Sequence, residues 1–273
     1  MAGLTRRLRP VVGLVAILSL VVGWAAMPSS ALAAREPWDG SVNLYRDGVY
    51  SEQRTWLWCT AAGVQMIRNM VDGDEDHSRA GQERYFDWMR GRNRYDLPES
   101  AGVDPVGWTA GLRRFVDDRY RLQTHASFDE AVRLAVIRIR KTELPVALTV
   151  AHGTHGWILH GFTADADPLV DDDFRITSLW VTGPLWGRQN RSFGYDMRPN
   201  TKLTVKELRR FFTPWDYEPM PMAWDGRFVS IQPVTPPAAP APEPSAAPSL
   251  PVVVRSIFAR TLLVYARMGF AVR

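Results

Sequence analysis

The chain has 273 residues, of which 46% are hydrophobic, 23% charged and 11% aromatic, the profile of a globular protein long enough for a sizeable core. Its net charge of +4 and sequence pI near 9.4 would suit a nucleic-acid binder. The distribution argues against one: three arginines lie in the first 34 residues and four in the last 22, with no acid in either stretch, so the remainder carries −3.

Arg6, Arg7 and Arg9 precede an apolar run, Val11–Ala26, and the small-residue pattern Ala31-Leu32-Ala33 follows it. Residues 1–34 therefore read as a cleaved export signal. The apolar run falls short of the ~20 residues that a membrane span needs. The expected location is secreted or extracytoplasmic. The next segment, 35–232, reads as one domain. From Cys59, small and apolar residues recur at Ala62, Gly63, Met66, Ile67 and Met70, the stripe of a core-facing helix. Ser127 and Glu130 form a capping box ahead of Ala131, Val132, Ala135, Val136 and Ile139, which share one helical face. Three β-rich runs come next: Leu144–Ala151, His155–Phe162 and Phe174–Val181. A last helix opens at Thr204, with Glu207 completing a second capping box, and stops before Pro214.

Helices first and strands second predict an α+β architecture with an antiparallel sheet. Residues 233–251 hold eight prolines in nineteen positions, an extended spacer of roughly 60 Å. Residues 252–273 are apolar but punctuated by Arg255, Arg260, Arg267 and Arg273. Charges at that spacing suit an amphipathic segment on a membrane surface, or one that binds a partner, better than a span.

Cys59 is the only cysteine. In an exported chain it either bridges to another molecule, lies buried and inert, or reacts. At the start of a helix, free backbone N–H groups and the positive dipole end favour an anionic sulfur. A nucleophilic thiol also needs a proton-carrying partner and donors for an oxyanion. Gln53, six residues upstream, can fold its amide back towards the sulfur, although a solvated loop glutamine is the ordinary reading. Three of the five histidines cluster as His152, His155 and His160. Shared metal coordination is disfavoured, because strand alternation puts His155 on the face opposite the other two. Nothing in the sequence points to a cofactor. Five tryptophans, Trp56, Trp58, Trp157, Trp180 and Trp186, can wall a cleft, with core packing as the plainer account.

Gln53, the "WCTAA" stretch around Cys59 and the "HGWILHGF" run opened by His155 together resemble the papain superfamily of cysteine peptidases. The compact spacing of Cys59 and His155 is similar to the small bacterial branch of bacteriocin-processing and staphylococcal papain-like peptidases. The resemblance implies a papain-like fold, with the nucleophile helix packed on an antiparallel sheet. It implies catalytic roles for Cys59 and His155, with Gln53 in the oxyanion hole, and a peptide or protein as substrate. It also implies an Asn or Asp, after the following strand, that orients the histidine. Here Gly183-Pro184 stand at that place. A backbone carbonyl, Asn190, Asp165 or Asp167 are the candidates to replace it. Loss of that group lowers catalysis without necessarily abolishing it, since nucleophile, base and oxyanion donors each contribute. The alternative reading is an inactive papain-like module that binds peptides or cell-surface material. A transglutaminase-like or arylamine-acyltransferase-like enzyme shares the Cys–His–Asp order but leaves Gln53 without a purpose.

Overall fold

The computed structural model describes residues 38–186, 196–217 and 220–235. The expected signal, the proline-rich spacer beyond residue 235, the arginine-punctuated tail and Asn190 all lie outside the described residues. Among the described residues, five helices pack against one open, wholly antiparallel sheet, a mixed α+β architecture. The helices are α1 (Cys59–Asp72), α2 (Arg79–Arg90), α3 (Pro105–Phe115), α4 (Phe128–Thr142) and the single turn α5 (Val205–Leu208). The strands are β1 (Ser41–Asn43), β2 (Tyr120–His125), β3 (Val146–Val150), β4 (His155–Ala164), β5 (Ile176–Thr182), β6 (Thr201–Leu203) and β7 (Phe228–Pro233). They run in the order β2-β7-β3-β4-β5-β6, and β1 adds to β4 beyond the end of β3. No helix among the described residues is long and apolar enough to cross a membrane.

The stripe read from Cys59 becomes α1, which buries Ala61, Ala62, Val64, Met66 and Ile67 completely and ends at Gly73 in the left-handed conformation. Burial of Val, Met and Ile side chains contributes about 1.5–3 kcal/mol each. That core also takes in Tyr85, Met89, Trp108, Leu112, Ile158 and Ile231, so α1, α2 and α3 share one face of the sheet. Helix α4 covers the other face: Gln232 Nε2 donates to Ala131 O, while neighbouring Ile231 points into the α1–α3 core. Ser127 caps α4 through the Glu130 N–H, and Thr204 with Glu207 forms the full reciprocal box at α5.

One expectation about order needs correcting. Strands β1 and β2 precede α4, and β2 is paired over six residues with β7 at the far end of the domain. Pro233 closes β7 rather than opening the spacer, since it stands opposite Tyr120 in the ladder.

Candidate active site

Four of the five helices carry a side-chain cap: Ser78 on α2, Asp104 on α3, Ser127 on α4 and Thr204 on α5. Helix α1 has none. Trp58 occupies its N-cap position and offers only its carbonyl, which accepts from Ala62 N–H at 2.9 Å. The Cys59 thiol therefore stands at a helix end where no side chain competes for the first-turn N–H groups. It is a free, partly exposed cysteine, so it is not the inert core thiol that composition allows.

His155 opens β4, as its motif suggests, and both residues line one cleft of about 220 Å³. Trp56, Trp108, Trp215 and Thr60 are among the other walls. Trp56 is 58% exposed at this cleft, whereas Trp58 and Trp157 are buried, so the tryptophans divide between wall and core.

Asp196 holds the imidazole. His155 Nε2 lies 2.9 Å from its Oδ2 and 3.2 Å from its Oδ1. Trp157 Nε1–H donates to Oδ1 at 2.6 Å, and Leu185 N–H donates to Oδ2 at 2.6 Å. The carboxylate, 7% exposed, is thus bracketed by three donors. Burial alone would lower the His155 pKa, but hydrogen bonds to Asp196 and Cys59, with the electrostatic attraction of the same two groups, raise it to about 9.

The glycine at 183 now has a physical reason. A Cβ there would lie 2.4 Å from Asp196 Cγ and Oδ2, and 2.6 Å from Trp157 Nε1. The carboxylate fills the space that an orienting side chain at 183 would have occupied. Of the replacements expected from sequence, Asp165 pairs with Arg175 at 2.8 Å on the surface, and Asp167 pairs with Arg140 at 2.9 Å. Neither reaches His155. A usable signal was present: Asp196 is the only acid between Thr182 and Thr201.

Gln53 is fully buried and does not line the cleft. Its Nε2 donates to Thr55 O at 2.8 Å, and its Oε1 is buried without a hydrogen-bond partner. Its backbone is tied to the site nonetheless. Gln53 N–H donates to Pro184 O at 3.0 Å, and the N–H of that same peptide group, on Leu185, is the one bound to Asp196.

The other two histidines take separate paths. His152 is exposed, in a short 3₁₀ turn at φ 57°, and is not part of the cleft wall. His160 is fully buried, with Nδ1 3.1 Å from Asn43 Oδ1 and Nε2 3.0 Å from Thr182 Oγ1. Among the described residues no group of three or more His, Cys, Asp or Glu is placed to hold a metal ion.

Burial pushes the His160 pKa down to about 3, so the folded protein keeps this ring neutral while the unfolded chain protonates it near 6.5. The stability held by the neutral ring is therefore present above pH 6.5 and is lost as pH falls towards 3. Thermal denaturation at stepped pH should show Tm dropping over that window. The drop should be shallower in His160→Gln, and an unchanged slope would show that another group drives it.

The domain thus presents a cleft compatible with an enzyme site or a peptide-binding surface. No known protein family, curated protein or solved structure matches the chain.

Proposed function

We propose that residues 39–233 form a papain-like cysteine hydrolase that cleaves peptide or amide bonds outside the cytoplasm. The observation that carries this reading is the Asp196 carboxylate on His155 Nε2, which supplies the orienting group that the family pattern lacks at 183. With Nε2 committed to Asp196, Nδ1 is the ring atom that serves the thiol. In this mechanism the Cys59 sulfur attacks the scissile carbonyl carbon and a C–S bond forms. The oxyanion is held by first-turn N–H groups of α1; the Gln53 amide, fully buried on Thr55 O, does not reach it as placed. The His155 imidazolium protonates the leaving nitrogen as the C–N bond breaks. Water then attacks the thioester, gives its proton to His155, and the acid departs with the thiol restored. On the same reading, residues 1–34 direct export, and residues 252–273 contact a membrane surface or a partner.

A second reading is a peptide-binding module without turnover. The side chain of Gln53 favours it, because its amide bonds to Thr55 and stays out of the cleft wall. Iodoacetamide separates the possibilities. Native protein at pH 6 should be alkylated at Cys59 about tenfold faster than a free small-molecule thiol of pKa ~8.5. His155→Ala should lose this advantage and His160→Ala should keep it. Labelling only after denaturation would overturn both the thiol's role and the mechanism. Fast labelling without Cys59-dependent hydrolysis of any ester or peptide would leave the binding module as the function.

A further inference from the structure

We propose that Arg90 is a positioning residue that holds the selecting wall of the cleft, which then favours acyl groups with an apolar chain; this rests on the hydrolase reading above. That wall is the irregular segment between α2 and α3, which contributes Leu97, Ser100, Ala101, Gly102 and Val103 to the cleft. No ladder or helix fixes it. Arg90, the last residue of α2, does so instead, from outside the cleft. Its Nη1 donates to Ala101 O at 2.9 Å and Gly102 O at 2.5 Å. Its Nη2 donates to Leu97 O at 2.6 Å and Pro98 O at 2.7 Å. All four hydrogens of the two terminal nitrogens are thus engaged, each in a charge-assisted bond. The guanidinium is planar and rigid, so four carbonyls bound to it cannot move independently. Carbonyl dipoles turned towards one point also repel one another unless a cation stands there.

The wall stands close to the chemistry. Gly102 lies against the chain that leads into α1, since a Cβ on it would sit 3.2 Å from Leu57 O. The segment is closed at its far end by Asp104, whose N–H donates to Asn93 Oδ1 at 3.0 Å. The Asp104 carboxylate accepts from the N–H groups of Arg94 at 2.5 Å, Tyr95 at 3.1 Å and Gly107 at 2.9 Å. It borders the cleft but is 1% exposed, so its charge is taken up by backbone donors. Across the cleft stand Trp215, Tyr217 and Met222. Apart from the thiol and His155, no charged side chain among the lining residues is left to meet a substrate. An acyl group joined to the Cys59 sulfur lies in this space, between aliphatic and aromatic surfaces. How closely its chain is gripped depends on where Arg90 holds the wall.

Acylation of the full protein by p-nitrophenyl acetate and p-nitrophenyl hexanoate tests this, each rate divided by that ester's rate with a small-molecule thiol. The unaltered protein should prefer the hexanoate by about tenfold or more in kcat/KM, because an apolar site discriminates by at least that for a methylene it grips. Arg90→Met should remove most of this preference, chiefly by raising KM for the hexanoate. It should leave iodoacetamide labelling of Cys59 within about twofold, since the thiol, His155 and Asp196 are untouched. Arg90→Lys keeps the charge but loses the planar fork, and should restore only part of the preference. A preference unchanged in Arg90→Met, or absent from an unaltered protein that is acylated at Cys59, would overturn the selecting role. Equal losses with both esters and iodoacetamide would overturn it too, by showing that Arg90 serves the fold alone. If Arg90→Met does not fold, Gly102→Ala, which presses the wall against Leu57, should shift the preference, and an unchanged one would count against the wall. No Cys59-dependent acylation by either ester would overturn the hydrolase reading itself, and this role with it.

Discussion

Asp196→Asn should cut kcat/KM by about 10²–10⁴-fold, the range seen when a histidine loses its orienting carboxylate, while KM changes little. The reason is visible in the donor count. Asp196 accepts from the His155 ring, the Trp157 indole and the Leu185 N–H with two oxygens. Asparagine offers one oxygen, and its NH₂ must face a donor whichever way it is turned. Removing one partner of a buried pair costs about 3–5 kcal/mol, so the variant should also unfold at lower denaturant. The raised His155 pKa gives a second readout. Its stabilisation is full below about pH 6.5 and is lost as pH rises through about 9, and Asp196→Asn should flatten that alkaline limb. Turnover within threefold of the unaltered protein would show that Asp196 orients nothing of catalytic consequence.

Gly183→Ala should be nearly as damaging, though position 183 itself carries no chemistry. An added methyl would sit 2.4 Å from the Asp196 carboxyl carbon. Either the carboxylate is displaced or the backbone shifts, and such overpacking costs about 1–3 kcal/mol. The decisive comparison is the double variant with Asp196→Ala. Deleting the carboxylate removes the nearer clash but leaves the Trp157 indole 2.6 Å from the added methyl, so the double variant should lose less stability than the two single losses combined and remain inactive. Strict additivity in stability would mean that the two side chains do not contend for one space.

Much of the scaffold is legible in the residues. The stripe from Cys59, the cap at Ser127, the box at Thr204 and the three β-rich runs all become elements. What escapes notice does so for physical causes. Helix α2 turns Gly81 and Gln82 inward beside Tyr85 and Met89, which weakens its apolar period because its buried face does polar work. Helix α3 carried a legible start in Asp104-Pro105, whose carboxylate caps Gly107 N–H. Strands β2 and β7 bury Gln232 and Ser230 and meet only through long-range pairing. The site divides in the same way. Cys59 and His155 announce themselves by local context. Asp196 lies 41 residues beyond His155 and thirteen beyond the glycine that admits it, and only folding brings it back.

The peptide group between Pro184 and Leu185 has a wider consequence. One rigid plane binds Gln53 through its carbonyl and Asp196 through its N–H, so the segment leading to the thiol's helix and the clamp on the imidazole take their alignment from a common reference. Tilting that plane spoils both at once. The two halves of the site cannot drift apart by degrees, and heating should end function in one step: the cleft is either in true or out of it.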